Sequence, residues 1–314
     1  LRRSRGLGDV YKRQMSMRTT WENLENEIIK QVSPLSLLVT GFSTVEDVRK
    51  TLTPDFKQTG STLLLLDLGE GKNRMGASCL AQCFDQVGDT APDLDNPELF
   101  KQFFTCIQSL IAKDLILSYH DRSDGGLYVA VTEMAIAGRK GYELNLDALI
   151  NSDCPDSSKF ETLFNEELGA VIEIDSERLA ELESMIESFG LSAICHAIGK
   201  TTAEKSGRII QQSEIIYENT ITELNRVWSE LSYTMQGLRD NSDCAQEAYD
   251  LLLDETDQGI IIQPTFDPDK VPNISKREQL KIAIFREQGI NGQNEMAYAC
   301  DKAGFKSVDV HLSL

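Results

Sequence analysis

Apolar residues in this chain come in short blocks separated by polar, glycine-containing turns. Leu35 to Phe42 is an apolar run of strand length, and Leu63-Leu64-Leu65-Leu66-Asp67-Leu68 reads as a buried strand bounded by Gly60 and by Gly69-Glu70-Gly71-Lys72-Asn73. Gly76-Ala77-Ser78 opens a helix whose apolar stripe is Leu80, Ala81, Phe84 and Val87, closed at Gly88. Glu98 to Lys113 carries Leu99, Phe103, Ile107, Leu110 and Ile111 at helical spacing, and Leu115-Ile116-Leu117 leads as a strand into His120. A helix from Leu127 to Ala137 stops at Gly138. Ala170 to Ile174 is a strand, Glu177 to Phe189 an amphipathic helix closed by Gly190, and Ala193 to Ile198 a further strand. Strands and helices alternate with mixed spacing, which predicts an α+β layer structure with helices covering a sheet.

The pattern changes after residue 222. Leu224 to Leu238 is helical with Trp228, Leu231 and Met235 on one side, and Asn241 to Thr256 reads as a helix or an acidic loop. Pro264, Pro268 and Pro272, with Asp267, Asp269 and Asn273 between them, form a linker. Leu280 to Phe285 is then a new strand, Arg286 to Asn294 a turn, Glu295 to Ala303 a helix closed by Gly304, and Phe305 to Leu312 another strand. Strand, glycine turn and helix in this order open a doubly wound α/β domain. At the other end, Leu1 to Gln14 holds four Arg and one Lys without an apolar period, and we expect a non-native leader there, outside the fold.

Net charge narrows the partners. The chain has 50 acidic and 31 basic residues, a formal charge of −19, and no Lys/Arg-rich block to track a phosphate backbone, which argues against nucleic acid. Its apolar runs, such as Leu63 to Leu66 and Gly259 to Ile262, are too short to span a bilayer, and the expected location is cytoplasmic. Seven scattered cysteines without a CxxC pair are expected to be reduced. Cys79 and Cys83 stand four apart on an expected helix, where a metal could use them, but no second Cys or His pair lies nearby and a buried structural role is the simpler reading.

The stretch richest in chemistry is Tyr119-His120-Asp121-Arg122-Ser123-Asp124-Gly125-Gly126-Leu127. It places two carboxylates, a hydroxyl and two glycines between a strand end and a helix start. Backbone N–H groups at such a turn suit phosphate, and carboxylates suit Mg²⁺, a hard cation often shared with substrate phosphates. The structural alternative is that Ser123 or Asp124 caps the helix while the glycines relieve the turn. Gly69 to Asn73 with Gly76-Ala77-Ser78 is a weaker candidate anion cradle, more simply a plain turn. His196 lies in an apolar run as a structural residue, and the strand bearing His311 gives no basis for assigning it a role.

His120 to Gly126 resembles the His-Asp-x-Ser-Asp-Gly-Gly signature of the aminoimidazole ribonucleotide synthetase superfamily of ATP-binding enzymes, in its C-terminal type of domain. Val45 to Arg49 with Leu52-Thr53-Pro54, Phe164 to Val171, and Met235 to Asn241 are each similar to the second synthetase half of the large fused phosphoribosylformylglycinamidine synthases. Arg286 to Asn291, Glu295-Met296-Ala297 and Ala303-Gly304-Phe305 are similar to the opening of the glutaminase domain in that family, and the order of the segments is the family's order.

The resemblance implies an internal piece of such an enzyme: a leader at 1–14, a remnant of an ATP-binding-type subdomain at 15–33, a synthetase C-terminal-type domain at 34–222, a helical segment and linker at 223–276, and a truncated class I glutamine amidotransferase domain at 277–314. Ser16-Met17 looks like the end of a family motif interrupted by the leader. The implied reaction is the ATP- and glutamine-dependent conversion of formylglycinamide ribonucleotide to its amidine, a C–N ligation in purine biosynthesis. Its cofactors are Mg²⁺ and ATP or ADP, with Asp121 as metal ligand and Ser123 as nucleotide ligand at an auxiliary site. The glutaminase nucleophile is not among the cysteines, because Cys300 falls on a helix, and the piece alone is expected to be inactive. A stand-alone synthetase of the same superfamily would need a complete ATP-binding half upstream. A non-catalytic scaffold would need only the fold.

Overall fold

The computed structural model describes residues 18–23, 25–32, 43–45, 47–150, 158–257, 262–267, 280–287 and 289–312. The expectations for residues 1–14, for Ser16-Met17, for the run 35–42, for Cys154 and for most of the proline linker fall outside them. The chain divides into two compact units, the first reaching Trp228 and the second starting at Ser229.

The first unit holds an antiparallel hairpin, β1 (Arg18–Glu22) with β2 (Ile28–Val32), and a seven-stranded sheet. The sheet strands are β3 (Thr62–Asp67), β4 (Ser118–Asp121), β5 (Gly141–Asn145), β6 (Gly169–Ile174), β7 (Cys195–Thr202), β8 (Ser206–Gln211) and β9 (Glu214–Thr220). Their order is β4-β6-β3-β7-β5-β8-β9, and every neighbouring pair is antiparallel except β5 with β8. The helices are α1 (Cys79–Cys83), α2 (Pro97–Ala112), α3 (Gly126–Gly138), α4 (Ser158–Phe164), α5 (Leu179–Ser188) and α6 (Ile221–Arg239), the last of which runs on into the second unit. This is the α+β layer structure that the mixed spacing predicts.

Four successive leucines form a strand because both faces of the sheet are covered. Leu63 and Leu65 share a core with Leu127, Val131 and Met134 of α3. Leu64 and Leu66 share the opposite core with Phe103, Cys106 and Leu110 of α2 and with Leu182 and Ile186 of α5. Each buried leucine contributes about 1.5–3 kcal/mol relative to exposure. Local signals set the helix ends: Asn96 accepts from the Leu99 N–H at 3.1 Å with Pro97 in the first turn of α2, and Gly190, at φ +73°, follows α5.

Several expectations are corrected. The helix read from residue 76 to 88 shrinks to Cys79–Cys83, because Ala77 and Asp85 take positive φ (+59° and +53°), and Phe84 and Val87 are exposed. Cys83 is exposed as well, so a buried role fails for it. The strand expected at Leu115 to Leu117 starts at Ser118, with Leu115 and Ile116 packed in the core ahead of it. Likewise β7 starts at Cys195, after a 3₁₀ turn at Ser192–Ile194. The strands β5, β8 and β9 were not foreseen.

Of the polar residues buried on these strands, Glu173 gathers four donors. Glu173 of β6 is fully buried, and its carboxylate accepts from the Lys57 and Gln58 N–H groups (2.8 and 3.1 Å) and from the Ser61 and Ser118 hydroxyls (2.6 and 2.9 Å). Four donors compensate its desolvation and tie the segment before β3 to β4 and β6.

The second unit contains α7 (Ser242–Leu251), β10 (Lys281–Arg286), α8 (Gln293–Lys302) and β11 (Lys306–His311). Asn241 caps α7 by accepting from the Asp243 and Cys244 N–H groups at 2.9 and 3.1 Å, which decides between helix and loop for that stretch. The strands β10 and β11 pair in parallel through the crossover helix α8, the arrangement the sequence predicts. Among the described residues no helix is long and apolar enough to cross a membrane.

Two outcomes follow from this packing. Glu173→Ala strands two buried hydroxyls and two part-buried N–H groups and should lower stability by about 2–5 kcal/mol, read as a fall in the denaturation midpoint. Burial pushes the Cys106 thiol up to about 11 and the Cys195 thiol up to about 12, so both stay protonated at neutral pH. A thiol reagent at about pH 8 should label Cys83 and Cys244, which are exposed, and reach Cys106 and Cys195 only on unfolding, as peptide mapping would show.

Candidate functional site

The strands β3 and β4 are both antiparallel to β6, so Asp67 and Asp121 end beside the start of β6 at Gly169. The chain leaves β4 at Asp121 and enters α3 at Gly126. Gly125 and Gly126 have φ of +80° and +70°, and a Cβ on Gly126 would lie 2.5 Å from the Asn165 carbonyl oxygen, so the turn requires glycine there. Arg122 turns inward: its N–H donates to the Gly169 carbonyl at 2.9 Å, and its guanidinium donates to the Glu167 carbonyl at 2.7 Å, to the Leu168 carbonyl at 3.0 Å and to the Asp67 carboxylate. With Arg122 anchored, Asp121, Ser123 and Asp124 are left exposed around it.

No side chain caps α3; its N-cap is Gly125, and neither Ser123 nor Asp124 has the capping role allowed by their spacing. Glu166 takes part of that place. Its Oε1 accepts from the Gly125 N–H at 2.9 Å and from the Cys79 N–H at the start of α1 at 2.8 Å. Glu167 accepts three hydrogen bonds from Arg74, the shortest 2.7 Å from Nε, and Arg74 also donates to Asp95 at 2.8 Å. The Arg74 guanidinium is held above its usual pKa by this contact with Glu167.

The glycine-rich loop after β3 is a plain turn. Asp67 accepts from the Gly69 and Gly71 N–H groups at 3.1 and 2.8 Å, so the donors that could have cradled an anion already serve the chain's own carboxylate.

A cavity of about 1320 Å³ opens beside the turn, with Asp121, Ser123 and Asp124 in one wall and Phe100, Phe104 and Ile107 of α2 in another. Asp121 accepts from the Tyr119 hydroxyl at 2.6 Å, and burial, reinforced by that carboxylate, pushes the Tyr119 phenol up. Cys79, Asp124 and Glu166 bring one ligand atom each within 4.8 Å of one another; Asp121 stands outside this trio, as does Cys83. Burial and the nearby Glu166 push the Cys79 thiol up. The structure therefore brings Asp121, Ser123 and Asp124, the hydroxyl and carboxylates of the turn, to one cavity and adds Glu166, which sequence reasoning did not place there as a ligand. The signal for Glu166 was the polar run Asn165-Glu166-Glu167 directly before a buried strand. His196 lies on β7 beside Leu65, as a structural residue would, and Cys300 lies on α8.

Residues 58–212 match the family described as AIR synthase related protein, C-terminal domain, and residues 279–314 match the CobB/CobQ-like glutamine amidotransferase domain. Among solved structures, PurL of Thermotoga maritima solved with ATP is similar at 16% identity over 56% of this chain and 27% of that one, with a TM-score of 0.44. The same protein solved with FGAR aligns at 14% identity over 56% and 30%, with a TM-score of 0.43. HypE of E. coli, a hydrogenase maturation protein, aligns at 17% identity over 54% and 51%, with a TM-score of 0.38. The chain thus spans under a third of the length of these PurL structures. The chain carries an AIR synthase related C-terminal domain at 58–212, followed by a CobB/CobQ-like glutamine amidotransferase segment at 279–314.

Proposed function

We propose that the turn from Asp121 to Gly126 is a Mg·nucleotide site, and that the polypeptide serves the ATP- and glutamine-dependent conversion of formylglycinamide ribonucleotide to formylglycinamidine ribonucleotide. The observation that carries the reading is the start of α3, whose N-cap Gly125 has no capping side chain, beside a cavity into which Asp121 and Ser123 face; Glu166 and the Ser123 carbonyl take the Gly125 and Gly126 N–H groups and leave those further into the first turn. Uncapped N–H groups at a helix start favour a phosphate oxygen, and the Ser123 hydroxyl can donate to another.

The residues also fit Mg²⁺. Asp121 engages only its Oδ1 with Tyr119, leaving Oδ2 for a cation, and hard oxygen ligands are what Mg²⁺ takes. When bound, the ion would offset the charge of the phosphate oxygens. Arg122 holds the turn through its Nε and Nη2, which donate to Glu167, Leu168 and Asp67. On this reading ammonia comes from glutamine at the amidotransferase domain, and Cys300, on the helix between two parallel strands, is not its nucleophile.

Calorimetric titration of Mg·ADP into a polypeptide carrying the complete synthetase and glutaminase regions tests the site. Asp121→Ala should weaken binding by about tenfold or more, since it removes a charge-assisted ligand, and Asp124→Ala should weaken it less. Equal affinity in the parent and both variants would reduce the segment to a structural turn. Separately, the 314-residue chain should release no ammonia from glutamine above a buffer blank; measurable release would refute the assignment of Cys300.

A further inference from the structure

His120, which the nucleotide reading leaves without a task, sits at the centre of a chain of polar contacts. Its Nδ1 lies 2.7 Å from the carbonyl oxygen of Asp121, and its Nε2 lies 3.1 Å from Oε2 of Glu133 on α3. The other oxygen of Glu133, Oε1, accepts from the indole N–H of Trp228 on α6 at 2.9 Å. The imidazole side chain is 18% exposed and Glu133 31%, while Trp228 is 59% exposed, so the His120–Glu133 contact is the best shielded of the three. The Asp121 peptide is thereby held from the side of α3 and α6, while Arg122, one residue on, is held from β6 and β3.

We propose that Glu133 and Trp228 are positioning residues for the Asp121–Gly126 turn, acting through His120 on the Asp121 carbonyl. Neither touches the proposed ligand. Their task is to fix the peptide that carries Asp121, because a carboxylate that must meet a metal needs a rigid backbone beneath it. This inference rests on the nucleotide reading for its purpose, but the clamp itself can be measured without nucleotide.

The geometry separates the variants. Glu133→Gln can keep the chain intact: its amide oxygen accepts from Trp228 and its NH₂ donates to Nε2 of His120, whose Nδ1–H still donates to Asp121. Glu133→Ala breaks both contacts, and Trp228→Phe removes only the indole donor. The reporters are three amides of the turn, Arg122 (to the Gly169 carbonyl), Gly125 (to Glu166) and Gly126 (to the Ser123 carbonyl), each bonded at 2.9 Å.

In native-state hydrogen exchange on the 314-residue chain, Glu133→Ala should speed exchange at these amides by about fivefold or more, the loss expected of one hydrogen bond. Glu133→Gln should stay within about twofold of the parent, Trp228→Phe should fall between, and amides of β3 should not change. If the turn amides keep their parent rates in Glu133→Ala, or if β3 quickens in step with them, the positioning role is overturned. Mg·ADP affinity of the longer polypeptide should follow the same order, Glu133→Gln near the parent and Glu133→Ala weaker. Should Asp121→Ala leave that affinity unchanged while the exchange pattern holds, the nucleotide reading fails and the clamp stands. A loss in Asp121→Ala with full affinity in Glu133→Ala overturns the clamp alone.

Discussion

Arg122 is a cation placed where water cannot reach it, with its side chain 2% exposed, and the site exists because its charge is compensated there. Asp67, 8% exposed, supplies the counter-charge, and the Glu167 and Leu168 carbonyls take further donors. Removing one partner from such a buried pair costs about 3–5 kcal/mol, chiefly because the other is left as an uncompensated charge. Three segments distant in sequence are locked by this one side chain: the end of β3, the exit of β4 and the approach to β6. The glycine turn after β3 follows from it too, since the Asp67 carboxylate that answers Arg122 also accepts the Gly69 and Gly71 N–H groups.

Sheet topology explains why this anchor lies beside a cavity. Among the described residues β4 is an edge strand, paired with β6 alone, so the turn that leaves it is open on one flank. On the other flank it meets the ends of strands buried on both faces, which hold the backbone of Asp67 and Gly169 in place. An exposed run of Asp121, Ser123 and Asp124 interrupted by a buried Arg122 is therefore a loop with a rigid base. The Glu173 carboxylate does similar work at the opposite end of β6, where its four donors come from the segment before β3, from Ser61 and from Ser118.

Much of the fold was legible because its elements declare themselves locally. The α2 helix shows an apolar stripe and an Asn-Pro start, β3 is an unbroken leucine run, and β10, α8 and β11 follow one another with turn residues between. The hidden strands β5, β8 and β9 read Gly141-Tyr-Glu-Leu-Asn145, Ser206-Gly-Arg-Ile-Ile-Gln211 and Glu214-Ile-Ile-Tyr-Glu-Asn-Thr220, too polar to announce a period. The overlong helix at residues 76–88 was misread because its stripe of Leu80, Phe84 and Val87 has helical spacing, whereas positive φ at Ala77 and Asp85 is invisible in residue type. At the site, Asp121 and Ser123 could be picked from motif resemblance. Glu133 and Trp228 could not, since they are tied to the turn only through tertiary contacts, Glu133 to His120 across 13 positions and Trp228 to Glu133 across 95.

The electrostatics of the cavity bear on why a cation belongs in the proposed chemistry. Its lining contains two basic residues, and both are already paired: Lys50 with Asp114 at 3.2 Å, and Arg122 with Asp67. Against them stand Asp121, Asp124 and Glu166 in the same lining, within a chain of net charge −19. A helix start offers roughly half a positive charge, and Glu166 already sits against the starts of α1 and α3 through the Cys79 and Gly125 N–H groups. A polyphosphate entering alone would meet more negative charge than the helix ends can offset, at a repulsion of about 1 kcal/mol per close pair in water and several times that near a protein surface. On the proposed reading a divalent ion held by Asp121 would offset this negative charge and let phosphate oxygens approach the start of α3. On the proposed reading the acidity of the turn is thus a requirement for the metal and not a conflict with the nucleotide, and the rigidity supplied by Arg122 keeps that requirement met by one defined carboxylate.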